Sequence, residues 1–406
     1  MGAGAAGLTA ALWARRSGYP TLLLERTRDG GRKILISGGG RCNILPSRSQ
    51  PERFVTDSSP SLLRMMLEAW PLEEQRVFFE RELGMRLVLE EETGKLFPES
   101  QRARDVRDRL LHRIREAGAE VRFGSRVLDL APPQASDSPW MIRLEGGDCI
   151  PAAAVIVATG GCSVPTTGSD GALLEVLQRL GHTIHPTYPA LTPLLAEPAV
   201  HAHLAGVSLE VTIRAPGHRP RFETTGGFLF THRGYSGPAV LDASHLAVRS
   251  RMAGGPPQAL TVQWTSLDRA AWERALRGAR GTVVNALARQ LPARLAETLA
   301  GEAGIARDQQ LAQLSRPARQ TLVGLLTAYS LPWTGDEGYR KAEVTGGGVA
   351  LSEVRRTTME SRHRPGLYLC GEILDAFGPI GGHNFMWAWA TGRAAGSAPF
   401  LHAEPG

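Results

Sequence analysis

The chain has 406 residues, 42% of them hydrophobic and 21% charged, which are ordinary values for a globular protein of two or three domains. No run approaches the roughly 18 apolar residues of a membrane span, and the first arginines follow the apolar start instead of preceding it as in a signal peptide. The net charge of +6 is dispersed and mostly due to arginine, so we expect a cytoplasmic protein with no nucleic-acid or membrane partner.

The cysteines form no C-x-x-C pair, so the sequence predicts no redox-active disulfide and no metal site. We interpret them as small buried residues. They are Cys42, Cys149, Cys162 and Cys370.

The first element is a G-x-G-x-x-G at Gly2, Gly4 and Gly7, followed by a helical pattern over 8–16 and a short apolar strand that ends in Glu25. This order is the dinucleotide-binding fingerprint. Gly2 permits the turn, Gly4 lets a pyrophosphate approach the backbone, and Gly7 lets the helix lie close to the sheet. Glu25 can accept hydrogen bonds from ribose hydroxyls and disfavours a 2′-phosphate. A plain glycine-rich turn is the alternative interpretation.

One part of this fingerprint is missing, because a buried strand normally precedes the first glycine and only Met1 stands there. We therefore expect the natural start to lie upstream. Loss of that central strand is expected to weaken both dinucleotide binding and stability.

The next elements predict a continuing α/β frame. A glycine-rich loop over 31–43 is followed by helices over 61–82 and 102–117, and then by consecutive strands typical of an antiparallel meander. A buried-type strand over 153–157 runs into Gly160 and Gly161, where a doubly wound sheet has its ligand crevice.

From about residue 187 the composition changes, and the sequence predicts an insertion before the frame resumes. We assign residues 1–186 to the first part of the dinucleotide domain and 340–406 to its second part. Between them, 187–265 is predicted to be β-rich and 266–339 helical. The resumed frame contains a glycine-rich turn over 378–384 that leads into a helix over 385–395.

These motifs resemble the BaiN-like FAD-dependent oxidoreductases, the YhiN-type flavoproteins, in order and over nearly the whole chain. The string Ser37-Gly38-Gly39-Gly40-Arg41-Cys42-Asn43 is the most specific match. The other matches are Gly2–Gly7, Gly31–Ile36, Ala158–Gly161, Phe230–His232, Ser236–Pro238, Glu343–Val349, Gly371–Asp375 and Gly378–Gly382.

The resemblance implies an α/β fold, in which a Rossmann-like FAD domain with a doubly wound parallel sheet and a meander carries an inserted β-barrel-like and helical domain. It also implies a set of FAD-binding residues, with Glu25 at the adenosine ribose, Val127 at the adenine and the helix start at 381–385 near the flavin N1 and O2. The full set is Gly2, Gly4, Ala5, Ala6, Gly7, Glu25, Arg26, Arg32, Lys33, Ser37, Gly39, Gly40, Arg41, Cys42, Asn43, Val127, Ala158, Thr159, Gly160, Gly371, Glu372, Asp375, Gly381, Gly382, His383 and Asn384.

The predicted activity is reduction of the flavin by NAD(P)H and hydride transfer to a small organic acceptor such as an activated C=C bond. NAD(P)H is expected to dock transiently, because no second G-x-G-x-x-G is present. The candidate acid/base residues are His383, Tyr235, Asp375 and His232, each of which also has a structural interpretation as a packed, capping or turn residue. Two other classes stay open, an RNA-associated flavoprotein and an O2-using mono-oxygenase or amine oxidase, and the oligomeric state is not predicted.

Overall fold

A computed structural model describes residues 1–135, 138–277 and 280–399, and it divides the chain into two compact units. The first unit is Met1–Tyr188 with the described part of Val344–Gly406, and the second is Pro189–Glu343. Of the predicted segment 340–406, residues 400–406 lie outside the described part of the chain. No helix among the described residues combines the length and the apolar character needed to cross a bilayer.

The α-helices are numbered in chain order. They are α1 Ala5–Arg16, α2 Arg32–Ile36, α3 Pro60–Glu68, α4 Leu72–Val77, α5 Ala103–Glu116, α6 Ala172–Arg179, α7 Pro238–Met252, α8 Arg269–Ala275, α9 Val283–Leu287, α10 Ala293–Glu302, α11 Arg316–Thr327 and α12 His383–Gly396.

The strands are numbered in the same way. They are β1 Leu22–Leu24, β2 Leu45–Pro46, β3 Leu87–Glu90, β4 Lys95–Pro98, β5 Glu120–Arg122, β6 Val127–Ala131, β7 Trp140–Leu144, β8 Cys149–Ala152, β9 Val155–Val157, β10 Ile184–Ala190, β11 Leu194–Leu195, β12 Ser208–Ala215, β13 Phe222–Phe230, β14 Gly234–Ser236, β15 Thr261–Gln263, β16 Tyr329–Ser330, β17 Gly335–Asp336, β18 Val344–Val349 and β19 Leu367–Leu369.

The parallel sheet of the first unit is formed by two strand pairs with the start of the chain between them. Strand β1 pairs in parallel with β5, and β9 pairs in parallel with β19. The Met1 amino group donates to the Ile156 carbonyl (2.8 Å) and the Gly2 N–H donates to the Leu24 carbonyl (2.8 Å). Met1 and Gly2 therefore lie between β9 and β1, where a doubly wound sheet has its central strand.

Helices α1 and α12 pack against each other through residues with little or no side chain. A Cβ on Gly392 would lie 2.4 Å from the Ala6 carbonyl oxygen, and one on Gly396 would lie 2.2 Å from the Ala10 carbonyl oxygen. This close approach fixes the C-terminal half of α12 against α1, the helix that follows the first dinucleotide turn.

The predicted α/β class is confirmed, and one predicted helix of the first unit needs correction. The predicted meander is present as the antiparallel sheet β6–β7–β8. The helix predicted over 61–82 is instead α3, α4 and a π-helical turn at Phe78–Glu82. The break falls at Pro71, which has no N–H to continue the ladder of α3.

The second unit contains a seven-stranded antiparallel sheet in the order β16-β15-β12-β13-β14-β11-β17. Within the described residues its edge strands β16 and β17 do not pair with each other, so the sheet is open and not a closed barrel. Side chains from the sheet and from α7–α11 share one buried core, which includes Phe228, Trp264 and Leu322. The residues predicted as two inserted domains thus pack around a common core.

Candidate active site

The turn at residues 2–7 has the geometry that the glycine pattern predicts. Gly2 has φ +89°, and a Cβ there would lie 2.5 Å from the Ala158 carbonyl oxygen. A Cβ on Gly7 would lie 1.8 Å from the Gly2 carbonyl oxygen, whereas a Cβ on Gly4 would meet nothing within 4 Å. Gly2 and Gly7 are therefore required by the fold. Gly4 instead leaves open space at the N-terminus of α1, where Ala5 and the following residues have N–H groups without intrahelical partners.

Glu25 follows β1 and lies beneath this turn. Its carboxylate accepts hydrogen bonds from the Ala3 N–H (2.6 Å), the Thr27 N–H (2.7 Å) and the Thr27 hydroxyl (2.8 Å). Although the side chain is buried, a carboxylate has about four acceptor positions, so capacity remains for a further donor such as a ribose hydroxyl.

Lys33 and Glu372 form a half-buried ion pair that joins the two parts of the first unit. The Lys33 Nζ lies 2.5 Å from the Glu372 Oε2 and 2.6 Å from the Ser163 Oγ. The Ser163 hydroxyl donates to the Glu372 Oε1 (2.6 Å), and the Thr345 N–H donates to the same oxygen (3.0 Å). Lys33 and Glu372 were predicted as site residues, whereas Ser163 and Thr345 were not, although Thr345 lies in the matched run Glu343–Val349.

We expect Lys33→Met to lower the free energy of unfolding by about 2 kcal/mol, because it leaves the Glu372 carboxylate without its cation. Urea unfolding of the flavin-free protein measures this loss. Arg86→Met is the matched control, since the Arg86–Glu99 pair has side-chain exposures of 76% and 56% and contributes little. Equal losses in the two variants would contradict a special role for the Lys33 pair.

Two arginines of the predicted site, Arg26 and Arg32, contact the segment that follows β9. Arg26 donates to the Gly168 carbonyl (3.3 Å) and pairs with Asp170. Arg32 pairs with Asp29 (2.7 Å) and donates to the Thr166 carbonyl (3.2 Å). Both guanidinium groups therefore hold residues 166–170 against the segment that follows β1.

The glycine-rich loop over 37–43 is exposed at Gly38, Gly39 and Gly40, all with positive φ. It closes through a hydrogen bond from the Cys42 N–H to the Ser37 carbonyl (3.1 Å). The Cys42 thiol is fully buried, which raises its pKa to about 12 and makes a reactive thiolate unfavourable.

Two residues at the end of this loop, Arg41 and Asn43, are fixed by contacts with other segments. Arg41 pairs with Glu90 (2.9 Å) and lies 4.1 Å above the ring of Phe97. With its amide oriented by its neighbours, Asn43 accepts a hydrogen bond from the Gly382 N–H (3.0 Å). The Ser37–Asn43 loop and the start of α12 are thus directly joined.

The turn at 378–384 places His383 at the first position of α12. The Asn384 Oδ1 accepts a hydrogen bond from the Gly378 N–H, and the Asn384 Nδ2 donates to the Gly378 carbonyl (2.9 Å each). These two bonds stabilise the turn. His383 is only 5% exposed, and neither of its ring nitrogens has a hydrogen-bond partner among the described residues. Burial, together with the charge on Arg53, lowers the pKa of His383 to about 4, so the ring is neutral at neutral pH. Interactions of the ring with the backbone of Arg48, Ile380 and Pro379 oppose this shift without reversing it. A buried imidazole without well-directed hydrogen bonds is costly, and this ring keeps capacity for one further partner.

The other candidate acid/base residues have protein partners. Asp375 is buried, and its Oδ2 accepts hydrogen bonds from the hydroxyls of Thr56 and Ser58 and from the N–H groups of Asp57 and Ser58 (2.9 Å each). Burial raises the pKa of Asp375, and the Thr56 and Ser58 bonds oppose that effect. These contacts favour a role in anchoring residues 56–58.

Tyr235 lies in the core of the second unit and is fully buried. Its hydroxyl is 2.8 Å from the His201 Nδ1, and the His201 Nε2 lies 3.1 Å from the Tyr329 hydroxyl and 3.2 Å from the Glu302 Oε1. This network favours a packing role for Tyr235. His232 is exposed in the turn before β14.

We expect Tyr235→Phe to reduce the free energy of unfolding by about 1 to 2 kcal/mol, because His201 loses a buried partner. The turnover number should remain within about twofold of wild type, whereas loss of an acid or base costs about 100-fold or more. Paired urea-unfolding and steady-state measurements separate the two roles, and a large kinetic loss at unchanged stability would restore the catalytic interpretation.

The remaining predicted residues are distributed around the first turn. A Cβ on Gly371 would lie 2.7 Å from the Ala6 Cβ, and one on Gly160 would lie 3.9 Å from the Glu372 Oε2. The glycine turn, the end of β9 at Ala158–Gly160 and the Gly371-Glu372 segment therefore converge. Val127 is half-buried at the start of β6 and Gly381 has φ +122°, but neither has a contact that identifies a ligand.

Comparison with known proteins gives matches along nearly the full length of the chain. The family model described as "HI0933-like protein Rossmann domain" matches residues 1–398. A ribosomal RNA dihydrouridine synthase of Escherichia coli (strain K12) is 33% identical, with 97% of this chain and 95% of the relative aligned. A 3-dehydro-bile acid delta(4,6)-reductase of Clostridium scindens is 31% identical, with 98% and 97% aligned. The solved 3-ketosteroid delta1-dehydrogenase of Sterolibacterium denitrificans has a TM-score of 0.52 at 13% identity, with 97% of each chain covered, which is a likeness of fold.

Proposed function

Since the chain belongs to the HI0933-like Rossmann-domain family, we propose that it is an FAD-dependent oxidoreductase that uses NAD(P)H to reduce a C=C bond conjugated to a carbonyl group. The observation that carries this proposal is whole-length similarity, at 33% and 31% identity, to two relatives whose names both denote saturation of a C=C bond. When bound, FAD supplies the hydride chemistry.

The residues of the first turn fit FAD. The open space at Gly4 leaves room for a pyrophosphate. The free N–H groups at the N-terminus of α1 would stabilise its negative charge. Glu25 has acceptor capacity for the adenosine ribose, and Val127 would lie at the adenine. The Lys33–Glu372 network would border the phosphates and the ribityl chain.

The turn before α12 would lie where the flavin and the substrate react. Gly381 and the first residues of α12 offer backbone N–H groups, whereas the Gly382 N–H is already bonded to Asn43. The neutral His383 ring offers an additional donor. Reduction of an enone builds negative charge on its carbonyl oxygen, and a fixed donor there lowers the barrier. We assign His383 as the group that donates to this oxygen.

A second candidate is reduction of uracil in ribosomal RNA. Two relatives with that name, at 33% and 30% identity, support it. The C5=C6 bond of uracil is conjugated to the C4 carbonyl. The same hydride donor and carbonyl-binding group would therefore suit both an RNA base and a steroid-like enone. This candidate departs from the sequence expectation of no nucleic-acid partner.

Anaerobic titration of the purified protein tests the proposal. We expect a flavin spectrum that NADH or NADPH bleaches, and fast reoxidation by one of two acceptors, a steroid enone or an unmodified ribosomal RNA transcript. Mass spectrometry then identifies either the saturated steroid or dihydrouridine. A colourless protein that FAD cannot reconstitute would overturn FAD binding, and reoxidation by O2 alone with a hydroperoxyflavin spectrum would overturn the reductase assignment.

A further inference from the structure

Three side chains of types that bind metals meet on the first unit, and none of them belongs to the predicted FAD site. His182 follows α6, Glu353 ends a short 3₁₀ turn at Leu351–Glu353, and His363 precedes β19. The Glu353 Oε2 lies 3.1 Å from the His182 Nδ1 and 3.5 Å from the His363 Nε2. One ligand atom from each residue lies within 4.8 Å of the other two.

The two separations from Glu353 match those of a zinc site. Ligands about 2.1 Å from a tetrahedral Zn²⁺ lie about 3.4 Å from one another, and two imidazoles with one carboxylate are an established zinc donor set. The 3.1 Å and 3.5 Å separations lie on either side of that value. A cation between the three atoms would keep its fourth position for water.

The surrounding hydrogen bonds already orient two of the three ligands. The Ser361 Oγ lies 2.9 Å from the His182 Nε2, the nitrogen that points away from Glu353. The Thr183 N–H donates to the Glu353 Oε2 (2.8 Å). Such outer partners fix the ring and the carboxylate of metal ligands. His182 has a fully buried side chain, while His363 is 41% exposed and opens the cluster to solvent.

Without a cation, a hydrogen bond between His182 and Glu353 takes the place of the metal. The Ser361 hydroxyl oxygen accepts the N–H groups of His363 (3.1 Å) and Arg364 (3.0 Å), so its own hydrogen points to the His182 Nε2. The His182 Nδ1 then carries a proton toward Glu353. Burial lowers the pKa of His182, which favours the neutral ring that a metal requires, although the Arg364 charge nearby opposes a cation.

We propose that His182, Glu353 and His363 form a Zn²⁺ site that ties the loop after α6 to the segment before β19. The sequence expectation of no metal considered cysteine spacing only, and these three residues are too far apart in the chain to form a recognisable motif. The proposal is independent of the flavin chemistry, because its ligands are not among the residues assigned to the flavin or the substrate.

Calorimetric titration of the full-length flavoprotein with ZnCl2, after treatment with a chelator, tests this site. We expect wild type to bind one equivalent with a melting temperature raised by several degrees. His363→Ala removes a partly exposed ligand and should weaken binding at least about tenfold. The matched control is His112→Ala, which removes a 71% exposed histidine from another His–Glu pair, and it should bind as wild type does. Absence of saturable binding by wild type, equal affinity of His363→Ala, or loss of binding in His112→Ala would overturn the proposal.

Discussion

Replacement of Gly4 by alanine is expected to weaken FAD binding about 100-fold, equivalent to about 2.7 kcal/mol, while the fold is retained. Gly4 has φ −81° and ψ −172°, which alanine adopts readily, and its Cβ would meet no atom within 4 Å. The cost to the flavin-free protein should stay below about 1 kcal/mol, the difference between glycine and alanine at an N-cap. The added methyl group would occupy the open space that the pyrophosphate needs.

Fluorescence titration of the flavin-free protein with FAD measures the affinity, and urea unfolding measures the fold. Gly7→Ala is the contrasting variant, since its Cβ would lie 1.8 Å from the rigid Gly2 carbonyl oxygen. It should lose about 3 kcal/mol of stability before any ligand is added. If Gly4→Ala binds FAD with the affinity of wild type, the pyrophosphate of FAD does not lie against Gly4.

The local part of this site follows from sequence, because it depends on short-range geometry. The spacing of Gly2, Gly4 and Gly7 prescribes a turn, and the contacts at Gly2 and Gly7 confirm that geometry. The α12 start at His383 was predicted within two residues, since Gly381 and Gly382 cannot continue a helix upstream.

The tertiary part could not be predicted, because it joins residues far apart in the chain. Ser163 and Thr345 gain their role only when β9 and β18 bring them to Glu372. The burial of Tyr235 depends on its pairing with His201 across the second unit. Likewise, the position of Met1 beside Ile156 follows from sheet assembly and not from any local preference.

His383→Phe is expected to lower the turnover number about 100-fold and to make the flavin-free protein more stable by about 1 kcal/mol. The phenyl ring keeps the edge-on contact with Phe54, whose centroid lies 6.1 Å from that of His383. It also removes two buried nitrogens that have no partner among the described residues. A purely structural histidine would give the opposite sign for stability, so the two measurements together distinguish the roles.

The pH profile adds a third criterion for the same residue. Because the pKa of His383 is lowered to about 4, the neutral ring is the form present above that pH and is lost only as the pH falls toward 4. The difference in turnover number between wild type and His383→Phe should therefore be constant from about pH 6 to 8, instead of titrating near the ordinary histidine value of about 6.5. His383→Gln should recover part of the rate, since an amide N–H can donate to the same carbonyl oxygen, and His112→Phe on the exposed face of α5 should match wild type. A rate difference that vanishes above pH 6.5 would show that a protonated imidazole acts there, and a neutral donor would be excluded.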